Sequence, residues 1–557
     1  MRLLTAAEVA DLLTEIGQRL ELAGESEFKA KAYYRAAAGL RALDEPLVDV
    51  VARGGLREIP GVGEAIEEKI LALHRTGTHR TLERLRADYP AGVLELLKVP
   101  GLRPKKAAAL YRELGITDLE ALERAARAGE LGRVKSLGAR LEAKILEGLD
   151  LLRRTAGLMH LPTAVERAEE ACALLARERS DLGRIVAAGP VRRACEVVDR
   201  IVVVAAGTDD KPIPAGLPAE VRIVRPEQHG LALLFATGSD AHLEELAGRA
   251  ATLGLSLTET GLSHGGQPVP CPTEEAVYAA LGLPWIPPEL REGRGEVARA
   301  LAGLLPRLVE ERDVKGILHS HTRDSDGVDT LEAMAEAVRA RGWQYFGVCD
   351  HSQSAFYAGG LKEDRIRSQH AEADRLNAGC AGTGFRILKG IESDIRPDGS
   401  LDYPEDVLEA FDFVVASVHS QFKMEREAQT ERILRAVRNP FTTILGHMTG
   451  RLLLRREGYP VDVERVLAAC AAHGVAVEIN ANPWRLDLDW RWHQRALELG
   501  CLLSIDPDAH SIAELDYVRW GVAIARKGGV PPERILTCLD LAALEEHLAR
   551  RRSRHGT

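Results

Sequence analysis

VKGILHSHTRDSDG (314–327) and LLSIDPDAH (502–510) decide how the carboxyl-terminal part of this chain is read. Each is a short apolar run that ends in an x-spaced pair, His319-Ser-His321 or Asp508-Ala-His510. On a strand the side chains repeat every two residues, so both members of a pair face one side. Between them lie YFGVCDH (345–351), FRILKGIES (385–393), FDFVVASVH (411–419), TTILGH (442–447) and VAVEINA (475–481). These strand-like runs alternate with helical stretches expected to be about 20–30 residues long. Seven such units predict a barrel or doubly wound sheet with its functional residues at the carboxyl ends of the strands.

Potential ligands collect at those ends: Asp326 in the loop HTRDSDG, His351, Glu392, His419 and His447, besides the two pairs. Imidazole and carboxylate without thiolate suit Zn, Mn or Fe, and nine donors are too many for one ion. Several divalent ions side by side clamp a phosphate and activate water at neutral pH. A single strand-end histidine more often satisfies a backbone carbonyl. Six histidines and three acids at successive strand ends do not fit that explanation. The nearby cations Lys423, Arg451 and Arg485 are candidates to grip substrate phosphates or are ordinary surface.

Composition sets the bounds. The 557 residues suffice for three or four domains, and 45% hydrophobic with 28% charged residues excludes a mostly disordered chain. No long charge-free stretch predicts a membrane span, and the first residues lack a signal-peptide core. The eight cysteines form no C-x-x-C pair and read as small hydrophobes in a reducing compartment. Net charge is −10, from 73 basic and 83 acidic residues, which argues against a chain coated in positive charge for nucleic acid. Of 17 histidines, 11 lie beyond residue 313, so composition alone points to histidine chemistry there.

The first 150 residues read as helices broken by Gly-containing turns. LREIPGVGEAIEEKI (56–70) is a helix, a Pro-Gly-Val-Gly turn and a second helix. Gly61 and Gly63 let backbone approach a phosphate, and the amides of the following helix can bind it. The pattern recurs in LKVPGLRPKKAAALYREL (97–114), with Gly101 kept and Arg103 at the second glycine, and more faintly in RVKSLGARLEAKIL (133–146). From about 183, GRIVAAG, RIVVVAAG, AEVRIVR and ALLFATGS read as strands of an α/β region. GLPWIPPELREGRGE (282–296) punctuates the chain before ARALAGLLPRLVEERD (298–313), expected to be a bridging helix.

The strand-end pattern resembles the PHP (polymerase and histidinol phosphatase) family, a distorted seven-stranded β/α barrel with a trinuclear metal site. The resemblance implies one ion on His319, His321, Glu392 and Asp508. A second would share Glu392 and take His419 and His447, and a third would take Asp326, His351 and His510. It makes Glu392 and His419 the residues closest to catalysis. The repeated turns resemble helix–hairpin–helix elements, which hold the DNA backbone without reading sequence. Lys69, Lys105 and Lys106 would add local cations, so an acidic total does not veto DNA binding.

The order of these elements resembles bacterial family X DNA polymerases over essentially the whole chain. It implies a helical DNA-binding region (1–152), a palm (153–240), a thumb (241–298), a linker (299–313) and a PHP domain (314–557). FKAKAYYRAAAGLRAL (28–43) is similar to the first helices of that family. Lys69 sits at the position of its lyase amine, where a lysine is more often a plain phosphate contact. AAGPVRRACEVVDRIVV (187–203), with Gly189, Arg192 and Arg193, resembles the nucleotide-binding segment, and Gly238-Ser239 the Thr-Gly-Ser turn beside the incoming nucleotide.

The catalytic carboxylates are what this palm lacks. Counting from Arg192-Arg193, the two expected aspartates fall on Arg200 and Val202, and the third acid on Glu220. Two-metal nucleotidyl transfer needs close carboxylates, so a Mg²⁺ or Mn²⁺ pair is not expected in the palm, and dNTP binding stays open. The expectation is a monomeric DNA repair protein of the bacterial cytoplasm, near the nucleoid. It would trim gapped or 3′ ends as a metal-dependent 3′–5′ exonuclease with little or no polymerisation. The alternative is an active Mn-dependent gap-filling polymerase. A non-catalytic scaffold and a small-molecule phosphatase fit less of the chain.

Overall fold

The computed structural model describes residues 3–43, 45–134, 139–208 and 211–555. It divides into two compact units, 1–156 and 157–557. In the first, the helices Ala6–Leu22, Glu27–Arg41, Glu64–Thr76 and Arg80–Asp88 enclose one core around Leu13, Ile16, Leu40 and Ile70. A second core gathers Val93, Leu96, Leu110, Leu122 and Ile145. Helix Ala6–Leu22 begins with a capping box, Thr5 and Glu8 each bonding the other's backbone amide.

Two helix–turn–helix hairpins are present. Short turns at Gly55–Glu58 and Leu96–Lys98 lead into helices Glu64–Thr76 and Pro104–Leu114. Gly61 and Gly101 take φ of +86° and +83°, which a side chain would resist, and Gly63 and Arg103 cap the second helices. The turn of the third, fainter copy (135–138) lies outside the described residues.

The second unit starts with β1 (Met159–His160), β2 (Gly183–Ala188), β3 (Val197–Val198), β4 (Val202–Ala206) and β5 (Glu220–Val224). β2, β4 and β5 form one sheet, antiparallel then parallel, while β1 pairs with β3. The run ALLFATGS, expected to be a strand, is instead part of helix His229–Thr237. Leu231, Leu233 and Leu234 are all buried, and a helix covered on every side shows no alternation to separate it from a core strand. A meander of β6 (Leu255–Thr258), β7 (Gly261–His264) and β8 (Gln267–Val269) follows.

The expected bridging helix over 298–313 is also not formed. Helix Glu296–Leu301 stops at Gly303 (φ +69°), and Pro306 bars its resumption. The segment runs irregularly instead, burying Leu308 and Val309, with the Val309 amide donating to Val530 O at 3.2 Å.

Seven parallel strands complete the unit: β9 (Gly316–Ile317), β10 (Tyr345–Val348), β11 (Arg386–Asp394), β12 (Phe413–Ser417), β13 (Ile444–Leu445), β14 (Ala476–Asn480) and β15 (Leu503–Asp506). Each lies beside its neighbour in sequence, and a bridge from Ser320 to Ala509 joins the first to the last. The strands are almost wholly buried, as expected for parallel strands covered on both faces. Phe413 fills the interior against Gly347 and Gly390, where an added Cβ would lie 2.7 and 2.1 Å from its ring. The helices between strands have 4 to 17 residues, shorter than expected, because loops at the strand ends take up the remaining chain.

Charged pairs knit the region before the barrel. The buried Glu274 carboxylate accepts two bonds from Arg192, both 2.7 Å, and two from the fully buried Arg291, at 2.5 and 3.1 Å. Burial pushes this carboxyl up, but the two guanidiniums outweigh it and hold it down at about 2. The pair's stabilisation is therefore complete above the ordinary value of 4.5 and is lost as pH falls through about 2. Glu274→Gln leaves two guanidiniums partly unpaired, an effect of about 3–5 kcal/mol for a broken buried pair. Scanning calorimetry should show a midpoint several degrees lower at neutral pH and a smaller loss on acidification between about pH 4.5 and 2. An unchanged midpoint at neutral pH contradicts this account.

Candidate metal centre

At the carboxyl-terminal rim of the barrel five of the candidate residues surround Glu392, and Asp326, Asp508 and His510 adjoin them. Its Oε1 lies 3.0 Å from His447 Nε2, 3.1 Å from His419 Nε2 and 3.4 Å from His319 Nε2. Its Oε2 lies 2.7 Å from His351 Nδ1 and 3.8 Å from His321 Nε2. Asp508 Oδ1 is 3.1 Å from His321 Nε2 and 3.7 Å from His319 Nε2. Asp326 Oδ1 is 3.3 Å from His510 Nε2 and 3.5 Å from His351 Nε2.

Backbone closure sets this geometry. The Asp508 amide donates to His319 O at 3.1 Å and the His321 amide to Ala509 O at 2.7 Å, so the two x-spaced pairs are stitched together. Asp508 itself takes φ +52°, a left-handed conformation that costs a non-glycine residue energy and is found at functional sites.

Three groups of donors lie close enough to hold an ion: His321, Asp326, His351 and His510; His319, His321 and Asp508; His351, Glu392 and His419. The second holds three of the four residues expected for the first ion, His319, His321 and Asp508, without Glu392. In the third, His351 stands in the place expected of His447, which lies instead against the other Glu392 oxygen, Oε1, shared with His419. His321 joins the expected Asp326–His351–His510 set.

The donors fit a metal. His319 Nε2, His321 Nδ1 and His447 Nδ1 are buried without a hydrogen-bond partner, which is costly unless a cation fills the space. Burial and the neighbouring His510 and His351 hold His321 down at about 3, and burial with Arg485 does the same to His447. Both rings are therefore neutral, the form that binds metal. Glu392 is held well below its ordinary range, the charges of His419, His351 and His319 outweighing its burial.

Three supporting residues were not legible as site residues. His319 Nδ1 donates to Glu478 Oε1 at 2.6 Å, and His419 Nδ1 to Asp394 Oδ1 at 2.5 Å, which turns both Nε2 atoms inward. Asn480 bridges Glu478 and Asp508 through its amide. Asp394 lies two residues beyond Glu392 on β11, so period-two spacing alone could have found it. Of the three cations, Arg485 reaches Asp508 Oδ2 at 3.4 Å and keeps a buried Nη1 without a partner. Arg451 instead binds Asp489 and the carbonyls of Arg485 and Leu486, so it buttresses the loop that carries Arg485. Lys423 is exposed.

The polymerase-like positions gather elsewhere in the same unit. Val202 is buried and lies in register with Glu220, while Arg200 is exposed and pairs with Asp199. Glu220 pairs with Arg222. Glu196, the other acid nearby, is buried and accepts from Trp490 Nε1 at 2.9 Å and Arg491 at 2.7 Å, both on the barrel. Arg193 binds Glu292, which also binds Lys527, and Ser239 Oγ caps helix Asp240–Thr252. Gly189, at φ +66°, starts the short helix ending at Arg192, and Gly238 closes the helix before Ser239. Among the described residues, every group of three donors lies in the barrel.

A closed parallel barrel with histidines and carboxylates at its carboxyl-terminal rim defines a metal-dependent hydrolytic domain of the PHP class, and residues 318–482 match the PHP domain model. The helical regions match a helix–hairpin–helix domain (5–79) and a SAM-like helix–hairpin–helix tandem (93–150), and residues 232–292 match the DNA polymerase beta thumb. The chain is 34% identical to the DNA polymerase/3′-5′ exonuclease PolX of Bacillus subtilis, covering 98% of this chain and 99% of that one. Probable phosphatases of Thermoanaerobacter sp. and Caldanaerobacter subterraneus are 26% and 27% identical, covering 43% of this chain and 96% and 92% of theirs. The chain belongs to the PolX family of DNA polymerase/3′-5′ exonucleases. As the described structure has no helix long and apolar enough to cross a membrane, no span is placed in it.

Residues that orient metal-binding histidines typically contribute 10–100-fold to metal affinity. Glu478→Gln and Asp394→Asn should each lose divalent metal by that factor in a chelator competition, with the circular dichroism spectrum unchanged. Retention of metal at the wild-type affinity in both variants contradicts the assignment.

Proposed function

We propose that this chain is a 3′–5′ exonuclease working at DNA ends through its barrel, with a palm that no longer polymerises. The observation that carries this reading is the convergence of His319, His321, Asp326, His351, Glu392, His419, His447, Asp508 and His510 on one rim. These nine would hold three divalent ions (Mn²⁺, Zn²⁺ or Fe²⁺), which when bound clamp phosphate oxygens and lower the pKa of water. Glu392 lies at the centre and joins the groups through both oxygens. His419, fixed by Asp394, presents Nε2 beside it at the edge of the cluster. Arg485 adds a positive charge where a phosphate would approach.

The palm supports the second half of the proposal. Arg200 and Val202 offer no carboxylate, Asp199 pairs with Arg200, Glu220 pairs with Arg222, and Glu196 is bonded into the barrel. Arg192 and Arg193, positions suited to a triphosphate, are spent on Glu274 and Glu292. A gap-filling polymerase would need these contacts broken and two carboxylates supplied, so dNTP binding is not expected.

DNA would be held by the hairpins through backbone amides at Gly61, Gly63, Gly101 and Arg103, with Lys105 and Lys106 beside them. The Lys69 amine donates to Ala65 O at 2.6 Å in the present structure, and its role in this reading is a phosphate contact. The working form would be a monomer at the bacterial nucleoid.

Labelled gapped and 3′-recessed DNA with Mn²⁺, with and without dNTPs, tests both halves. Wild type should shorten 3′ ends and fail to extend them, and His319→Ala/His321→Ala should abolish shortening. Extension at a rate comparable to shortening contradicts the reading of the palm. Shortening that survives in the double variant contradicts the reading of the barrel.

A further inference from the structure

The rim of the metal centre carries two large exposed rings. Phe356 is 86% exposed and Tyr357 63% exposed, in a chain whose other aromatic side chains are mostly covered. They sit in the turn Phe356–Ala358, directly after the strand end that supplies His351. The Tyr357 ring centre is 6.5 Å from that of His351 and 6.0 Å from that of Phe356, with the two exposed rings near perpendicular.

The turn is rigid, not a loose tip. Ser352 bridges to Leu361, the Leu361 amide donates to His351 O at 2.8 Å, and the Ala358 and Gly360 amides both bond Ala355 O. A Cβ on Gly359 would come within 3.2 Å of Ser325 O, so the turn packs closely against the loop that holds Asp326. Exposure of hydrophobic rings on a fixed support has a solvation cost, which a ligand face can recover.

We propose that Phe356 and Tyr357 form a stacking platform for the bases of an unpaired 3′ end whose phosphodiester lies at the metal centre. The occupant follows from position. The rings begin one His351 ring away from a centre built for phosphate, within the reach of one nucleotide; Asp326 and His510 form its more exposed edge, and Gly359 of the same turn packs on Ser325 beside Asp326. Flat rings stack on any base, so the platform grips without reading sequence. Bases of a duplex already stack on each other, so a frayed or mismatched end is easier to deliver. The inference rests on the exonuclease reading above and names the form of its substrate.

The test uses the full chain with Mn²⁺ and two 5′-labelled single strands, one ending in ordinary thymidines and one ending in abasic tetrahydrofuran units. Wild type should cut the base-bearing end with a KM about 10-fold lower, the fold-change that roughly 1.4 kcal/mol of stacking corresponds to. Phe356→Ala/Tyr357→Ala should raise KM on the base-bearing end to the abasic value, leave the abasic end unchanged, and lose the preference for mismatched over paired ends. Phe356→Trp/Tyr357→Trp should keep the wild-type discrimination. The inference is overturned if the alanine variant cuts the base-bearing end as wild type does, or if it loses activity equally on both strands. If wild type cuts neither strand, the exonuclease reading itself falls, and the platform with it.

Discussion

The barrel's chemistry depends on one buried carboxylate. Glu392 is fully enclosed yet held ionised, and it touches imidazole nitrogens from four other strand ends. An isolated charge in that position would be strongly unfavourable, so the surrounding donors and the cations they are suited to bind are a condition of the fold as well as of the chemistry. The ring closure from Ser320 to Ala509 serves the same end, because it brings the first and last strand ends, and so four of the nine donors, to one place.

The polymerase-like region of the same unit is tied closely to the barrel. Positions that would hold carboxylates and triphosphate carry hydrophobic or ion-paired side chains, and several of them lean on the barrel. Glu196 binds Trp490 and Arg491, Lys527 donates to Arg193 O at 2.9 Å, and Leu161 and Val198 share a core with barrel residues. On the proposed reading the palm and thumb serve as a support for the barrel, with Glu196 bonded across to it.

Much of this was legible in the chain. Strand ends marked by His, Asp or Glu after an apolar run reveal themselves, because period two puts alternate residues on one face. The nine residues that meet at this rim can therefore be picked out by pattern. Glu478 cannot, since an acid that bonds a histidine side-on looks, in sequence, like any polar residue on a strand, whereas Asp394 is within reach of the period-two spacing from Glu392. ALLFATGS was misread because an apolar segment buried on all sides loses the periodicity that separates helix from strand. The 298–313 segment has helical composition, yet Gly303 and Pro306 dominate it locally. The contacts of Glu196 were beyond reach for a different reason: its partners lie about three hundred residues away, and only the packing of the two regions brings them together.

The most direct test of this account is anomalous diffraction from crystals of the full chain soaked in Mn²⁺. The account predicts three peaks around Glu392, each bounded by the imidazoles and carboxylates that meet there, and no peak between Val202 and Glu220. A peak in the palm, or a barrel rim that binds no metal, would contradict it.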